Sequence, residues 1–162
     1  IVHLSRGRWL VSDQIDRLAL PELLSAPWPA YISLQSALFH HGLIEQIPSV
    51  IYAVSPARPR RLWTPLGTVS FHRMPPALFT GFELATSSDA KIATPEKALF
   101  DLLYLSPGRS RLFAGLPELT IPRRFRWQRL TQFTALVQSS GRRKLIAERV
   151  KTLRLSATRI AS

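Results

Sequence analysis

The sequence predicts an α+β fold: a small mixed or antiparallel sheet packed by helices, followed by a basic helical C-terminal part. Three observations predict it. Short Val-, Ile- and Tyr-rich runs with turn signals between them occupy the middle of the chain, and the best is Ser49 to Ser55. Apolar residues at helical spacing follow Ser33 and Thr94. The charge is split along the chain. Residues 109–162 carry 13 Lys and Arg against Glu118 and Glu148 only, whereas residues 1–108 carry 9 basic and 8 acidic residues. A domain of ordinary balance is thus joined to a segment suited to a polyanion, because clustered cations release the counterions condensed on phosphates.

In chain order, residues 1–12 (IVHLSRGRWLVS) alternate in places around Arg6-Gly7-Arg8 and read as a short strand pair. Asp13 to Leu24 can form a helix, with Ser12 or Asp13 as N-cap and Ile15, Leu18, Ala19 and Leu23 available to pack. Pro21 falls inside it, so this helix is expected to be short or broken. Residues 13–29 are expected to be a linker region that ends in the stiff Ser25-Ala26-Pro27-Trp28-Pro29.

A core domain is expected over residues 30–108. Ser33 caps a helix from Leu34 to His41 that Gly42 closes at the C′ position, and Leu34, Ala37, Leu38 and His41 share one face. Ser49 to Ser55 has Val50, Tyr52 and Val54 on one side and Ile51 and Ala53 on the other; two apolar faces make it a central strand. Arg61 to Thr64 and Thr68 to Met74 flank the turn Pro65-Leu66-Gly67, and Phe82 to Thr86 and Ala90 to Ala93 flank Ser87-Ser88-Asp89, which predicts two hairpins. Thr94-Pro95 opens the strongest helix. Thr94 is its N-cap, Pro95 takes the first position, where a missing N–H is harmless, and Glu96 faces the positive end of the dipole. Ala98, Leu99, Leu102, Leu103 and Leu105 form its apolar stripe, and Ser106-Pro107-Gly108 stops it.

The C-terminal part spans residues 109–162. After a proline-spaced loop to about Pro122, Trp127 to Gln138 and Arg142 to Leu155 read as two helices punctuated by Gly141.

Composition narrows the function. The chain has no Cys, which excludes disulfides, thiolate metal sites and a Cys nucleophile and fits a reducing compartment; a cytoplasmic place is expected. No apolar run reaches the length of a membrane span, so no membrane partner is expected. The seven Gly residues form neither a dinucleotide fingerprint nor a P-loop. His40 and His41 point about 100° apart on a helix and lack a metal-binding spacing. Glu96 and Asp101 are five residues apart, so they do not face each other as an acid/base pair would. Asp89, Glu96 and Lys97 lack a nuclease spacing. No enzyme, cofactor or metal is expected. Asp101, between Leu99 and Leu102, is expected to bond an Arg or a backbone donor from a neighbouring element.

The basic segments carry the binding expectation. Arg58, Arg60 and Arg61 cluster beside a strand, while Arg123, Arg124, Arg126 and Arg129 flank Phe125 and Trp127. Those aromatics either stack on bases or anchor the segment to the core. Arg142, Arg143, Lys144, Arg149, Lys151 and Arg154 decorate a helix whose Leu145, Ile146, Val150 and Leu153 form an apolar side. Nucleic acid or an acidic protein partner is expected on Arg123, Arg124, Arg126, Arg129, Arg142, Arg143, Lys144, Arg149 and Lys151.

Two segments together resemble the AbiEi-type antitoxin family. Residues 31–44 (YISLQSALFHHGLI) resemble the opening of its antitoxin domain, a helix closed by H-G-L that contains His41 and Gly42 here. Residues 93–105 (ATPEKALFDLLYL) resemble its T-P-E-K-A-L-x-D-L helix, with Thr94, Pro95, Glu96, Lys97 and Asp101. Ile47-Pro48, Arg60-Arg61, Thr64-Pro65-Leu66-Gly67 and Phe71 follow in the family's order, so the likeness covers roughly residues 30–106. It implies a bacterial toxin–antitoxin or abortive-infection operon. Its product would neutralise a nucleotidyltransferase-like toxin, directly or indirectly, and bind operator DNA through an N-terminal winged helix of the full-length protein. Residues 1–12 would be the remnant of that wing. The chain opens at Ile1, and its true N-terminus is expected to lie further upstream. The alternative expectation is a general nucleic-acid-binding module that uses the Arg-rich C-terminal third without a toxin.

Overall fold

The computed structural model describes residues 2–5, 7–10, 16–106 and 118–160. Strands β1 (Val2–Ser5) and β2 (Arg8–Leu10) form the expected strand pair, which is antiparallel, with Gly7 turning between them at φ +77°. The expected caps Ser12 and Asp13 lie outside the described residues. A 3₁₀ turn at Arg17–Ala19 is capped instead by Asp16, whose Oδ1 accepts from the Leu18 N–H at 2.9 Å. It leads into α1 (Leu20–Ser25).

The helix is short, as expected: α1 has six residues, with Pro21 in its first turn. Residues 20–25 are more than the expected linker. Leu20 and Leu24 are fully buried, and α1 packs on the sheet.

The main sheet has six strands in the order β5-β6-β4-β3-β8-β7. They are β3 (Tyr31–Ile32), β4 (Ile51–Ser55), β5 (Arg60–Thr64), β6 (Gly67–Arg73), β7 (Phe82–Leu84) and β8 (Lys91–Ala93). The predicted hairpins β5–β6 and β7–β8 form its two flanks. Between them, β4 pairs antiparallel with β3 and parallel with β6, and β3 pairs parallel with β8, so the sheet is mixed. All five residues of β4 are buried, as two apolar faces require of a central strand.

Helices α2 (Leu34–His40), α3 (Pro95–Leu105), α4 (Trp127–Ala135) and α5 (Ser140–Ile160) complete the α+β architecture. At the end of α2, the Gly42 N–H donates to Phe39 O and the Leu43 N–H to Leu38 O, with Gly42 at φ +74°. That is a complete Schellman closure, as the H-G-L sequence predicts. The start of α2 differs from expectation. The Ser33 hydroxyl makes no capping bond and turns instead to Asp101, and Leu34 takes φ +54° with its side chain fully buried. Gly141 does not punctuate; it lies in the first turn of one 21-residue helix. The core gathers Ile32, Val54, Phe71, Leu38, Leu99, Phe100, Leu103, Leu130 and Ile146.

Candidate functional site

The two motif-bearing segments meet at one place. The Schellman closure fixes His41 at the end of α2, and its Nε2 lies 2.7 Å from the carbonyl oxygen of Ala93. A carbonyl only accepts, so Nε2 carries the proton and Nδ1 is left as an acceptor. Burial lowers the His41 pKa, against the effect of that bond, so the ring is neutral. One residue beyond Ala93, Thr94 Oγ1 accepts from the Lys97 N–H at 3.3 Å and caps α3, as predicted.

Glu96 does more than face a helix terminus. Its side chain is buried, and Oε1 accepts from the backbone N–H of Arg126 at 2.9 Å, which pins the loop before α4 to the first turn of α3. Phe125 is buried beside it, with its ring 4.9 Å from that of half-buried Trp127 in an edge-on arrangement. These aromatics anchor the segment; they are not offered to a base.

The result is a cleft of about 190 Å³ where α2, β7, α3 and α4 converge. His41, Glu83, Glu96, Arg124, Arg126 and Arg129 line it. Arg126 is the N-cap of α4, its carbonyl accepts from the Arg129 N–H at 2.9 Å, and both residues line the cleft. Among the described residues the ion pairs are Lys91–Glu22 and Lys97–Asp101, and the guanidinium groups of Arg123, Arg124, Arg126 and Arg129 are exposed and outside both.

The other predicted cations divide. Arg142 and Arg149 turn inward. Arg142 Nη2 donates to Tyr104 O at 2.7 Å with its guanidinium carbon 3.9 Å from the Tyr104 ring centroid, and Arg149 Nη1 donates to Ser106 Oγ. Both tie α5 to the end of α3, where cations also meet the negative end of the helix dipole. Arg143 is exposed but donates to Val137 O at 3.1 Å. Lys144 and Lys151 are exposed. Arg60, read as part of a basic cluster, donates to Leu24 O at 2.9 Å and lies over the Phe71 ring.

Lys97 and Asp101, the remaining motif residues, lie away from the cleft in the core. Both are fully buried and form an ion pair one turn apart on α3. Asp101 also accepts from Tyr31 Oη at 2.9 Å and Ser33 Oγ at 2.6 Å, and Lys97 Nζ donates to Tyr31 Oη at 2.9 Å. The ammonium sits among the Tyr31, Phe100 and Phe133 rings, 5.0–5.7 Å from their centroids. The expected partner of Asp101, an Arg or a backbone donor from elsewhere, is thus corrected to a lysine of its own helix and two hydroxyls. Burial raises the Asp101 carboxyl, lowers the Lys97 amine and raises the Tyr31 phenol, the last with help from the Asp101 charge.

Sequence reasoning did not single out Tyr31 or Glu83, and it read Ser33 only as a helix cap. Hydroxyls at the edge of an apolar strand are a faint sign of a buried carboxylate, and Glu83 gives no sign at all. His40 and His41 stand edge to face with centroids 5.1 Å apart. Among the described residues no group of three or more His, Asp or Glu could hold a metal ion, and no helix is long and apolar enough to cross a membrane. No family model, curated protein or solved structure matches the chain.

Proposed function

We propose that the chain is the antitoxin part of an AbiEi-type system: a non-enzymatic module that neutralises a nucleotidyltransferase-like toxin and works with operator DNA in the full-length protein. The observation that carries this reading is the contact between the two resembling segments. His41 of the H-G-L closure bonds to Ala93, directly before the Thr94-Pro95-Glu96 cap, so motifs 52 residues apart build one corner of the fold. That corner opens on the arginines of the C-terminal part, which makes it the natural place for a partner. Growth rescue tests the reading: co-expression of the protein should restore growth to cells expressing the neighbouring nucleotidyltransferase.

A specific observation favours a second reading, nucleic-acid binding by the basic C-terminal part. The arginines from Arg123 to Arg129 are exposed and take part in no ion pair among the described residues, so their charge is available to phosphates. Binding that weakens steeply with salt supports it; binding that ignores salt contradicts it.

A further inference from the structure

We propose that the cleft between α2, β7, α3 and α4 seats a backbone phosphate of a nucleic acid, with Arg124, Arg126 and Arg129 as its ligands and Glu83 as the side chain that limits its affinity. This rests on the nucleic-acid reading above and assigns it a site. Arg124, Arg126 and Arg129 line one concavity of about 190 Å³, which has room for a phosphate group. Their presentation is prearranged. Glu96 holds the Arg126 backbone, Phe125 is buried beside it, and the Arg126 carbonyl accepts from the Arg129 N–H, which fixes the separation of the two backbones. A site prearranged in this way loses less entropy on binding.

The surroundings select among anions. An acidic protein partner would be expected to meet an apolar centre within a polar rim. None of the large exposed apolar side chains lines this cleft, and Phe125 and Trp127 pack inward. Three arginines against Glu83 and Glu96 leave the cleft with a net positive charge, and a cationic surface without an exposed apolar centre is the character of a nucleic-acid interface. Without an exposed aromatic face there is no stacking, so the contact reads phosphate and ignores sequence. Glu83 is exposed, belongs to neither ion pair and faces the same space. Its charge repels a phosphate there, and so does that of Glu96, whose Oε1 is already committed to the Arg126 N–H.

The signs of the effects make the proposal testable. Fluorescence anisotropy with a labelled duplex of about 20 base pairs and with one of its single strands, titrated between 50 and 200 mM salt, would compare the protein with three variants. The triple variant Arg124→Ala/Arg126→Ala/Arg129→Ala removes side chains only and leaves the backbone bond to Glu96. It should weaken binding about tenfold or more at low salt and lower the salt slope by about 2–3, because each lost phosphate contact removes close to one counterion. Glu83→Gln should tighten binding several-fold, an outcome that damage to the fold would not produce. Whichever of the two oligonucleotides is bound more tightly identifies the form of the backbone.

If Arg143→Ala/Lys144→Ala weakens binding while the cleft variants match the wild type, the nucleic-acid reading stands and this site is overturned. If the wild type binds neither oligonucleotide, the nucleic-acid reading itself falls, and the site with it. Cleft-dependent binding of polyglutamate with no binding of either oligonucleotide would reassign the cleft to an acidic protein partner.

Discussion

Lys97 and Asp101 form an ion pair one turn apart on α3, with both side chains at zero solvent exposure and the Tyr31 and Ser33 hydroxyls closing the shell around the carboxylate. Two charges taken out of water gain from each other only while both are present. Asp101→Ala should therefore destabilise the fold by about 3–5 kcal/mol, because it leaves an uncompensated buried ammonium. The paired replacement Lys97→Met/Asp101→Leu removes both charges and should be milder than either single change. Urea unfolding of Asp101→Ala, Lys97→Met and the double variant checks this. A double variant no more stable than Asp101→Ala would show that the hydroxyl shell, rather than the charge pair, dominates.

Gly81 lies against the same cluster. It adopts φ +80°, and a Cβ there would come within 2.6 Å of Phe133 Cζ and 2.9 Å of Lys97 Cγ. Gly81→Ala should destabilise by about 1–3 kcal/mol from the backbone alone, with the ring contact adding to it. A thermal melt indistinguishable from wild type would mean that β7 and α4 separate more easily than their packing implies.

Burial is the leading cause of the lowered pKa of both His41 and His72. Their folded values lie below the unfolded value of 6.5, so below that pH the unfolded chain binds more protons than the folded one. The stability the neutral rings confer is fully present above about pH 6.5 and is lost as pH falls, by at most about 1.4 kcal/mol per pH unit for each ring. Denaturant midpoints between pH 7.5 and 5.5 should fall for the wild type and fall less for His41→Gln/His72→Gln. A wild type more stable at pH 5.5 than at 7.5 would contradict it.

Arg142 separates structural from binding cations. Its bond to Tyr104 O and its place over the Tyr104 ring join α5 to α3. Arg142→Ala should destabilise by about 1–3 kcal/mol. Lys144→Ala, on the exposed side of the same helix, should stay within about 0.5 kcal/mol of wild type. Equal melting temperatures for the two would show that Arg142 contributes nothing to docking.

These contrasts show how far the sequence could be read. Thr94-Pro95-Glu96 and His41-Gly42-Leu43 were legible because caps and closures are local chemistry: a hydroxyl accepts from an N–H three residues on, and a glycine takes a positive φ. The burial of β4 was legible from its two apolar faces. Ser33 misled because the same local rule made it a cap, while a stronger partner, the buried Asp101, waited 68 residues away. Lys97 was legible as a motif residue but not as a buried one, because residues distant in sequence, Tyr31, Gly81 and Phe133, enclose it. Gly141 resembled a stop because its helix propensity is poor, yet α5 runs through it. Arg142 and Arg149 carried no sign that distinguished them from Lys144. The cleft was illegible as a site because it joins Glu83, Glu96 and Arg124–Arg129 from elements distant in sequence.

The most direct test of the antitoxin assignment is growth rescue. This 162-residue chain and the complete product of its gene, should that be longer, would each be expressed beside a nucleotidyltransferase toxin encoded next to that gene, with expression confirmed by immunoblot. Restored growth with the chain alone is the expected result and would place neutralisation within residues 1–162. Continued growth arrest with both products present at levels matching the toxin would contradict the assignment.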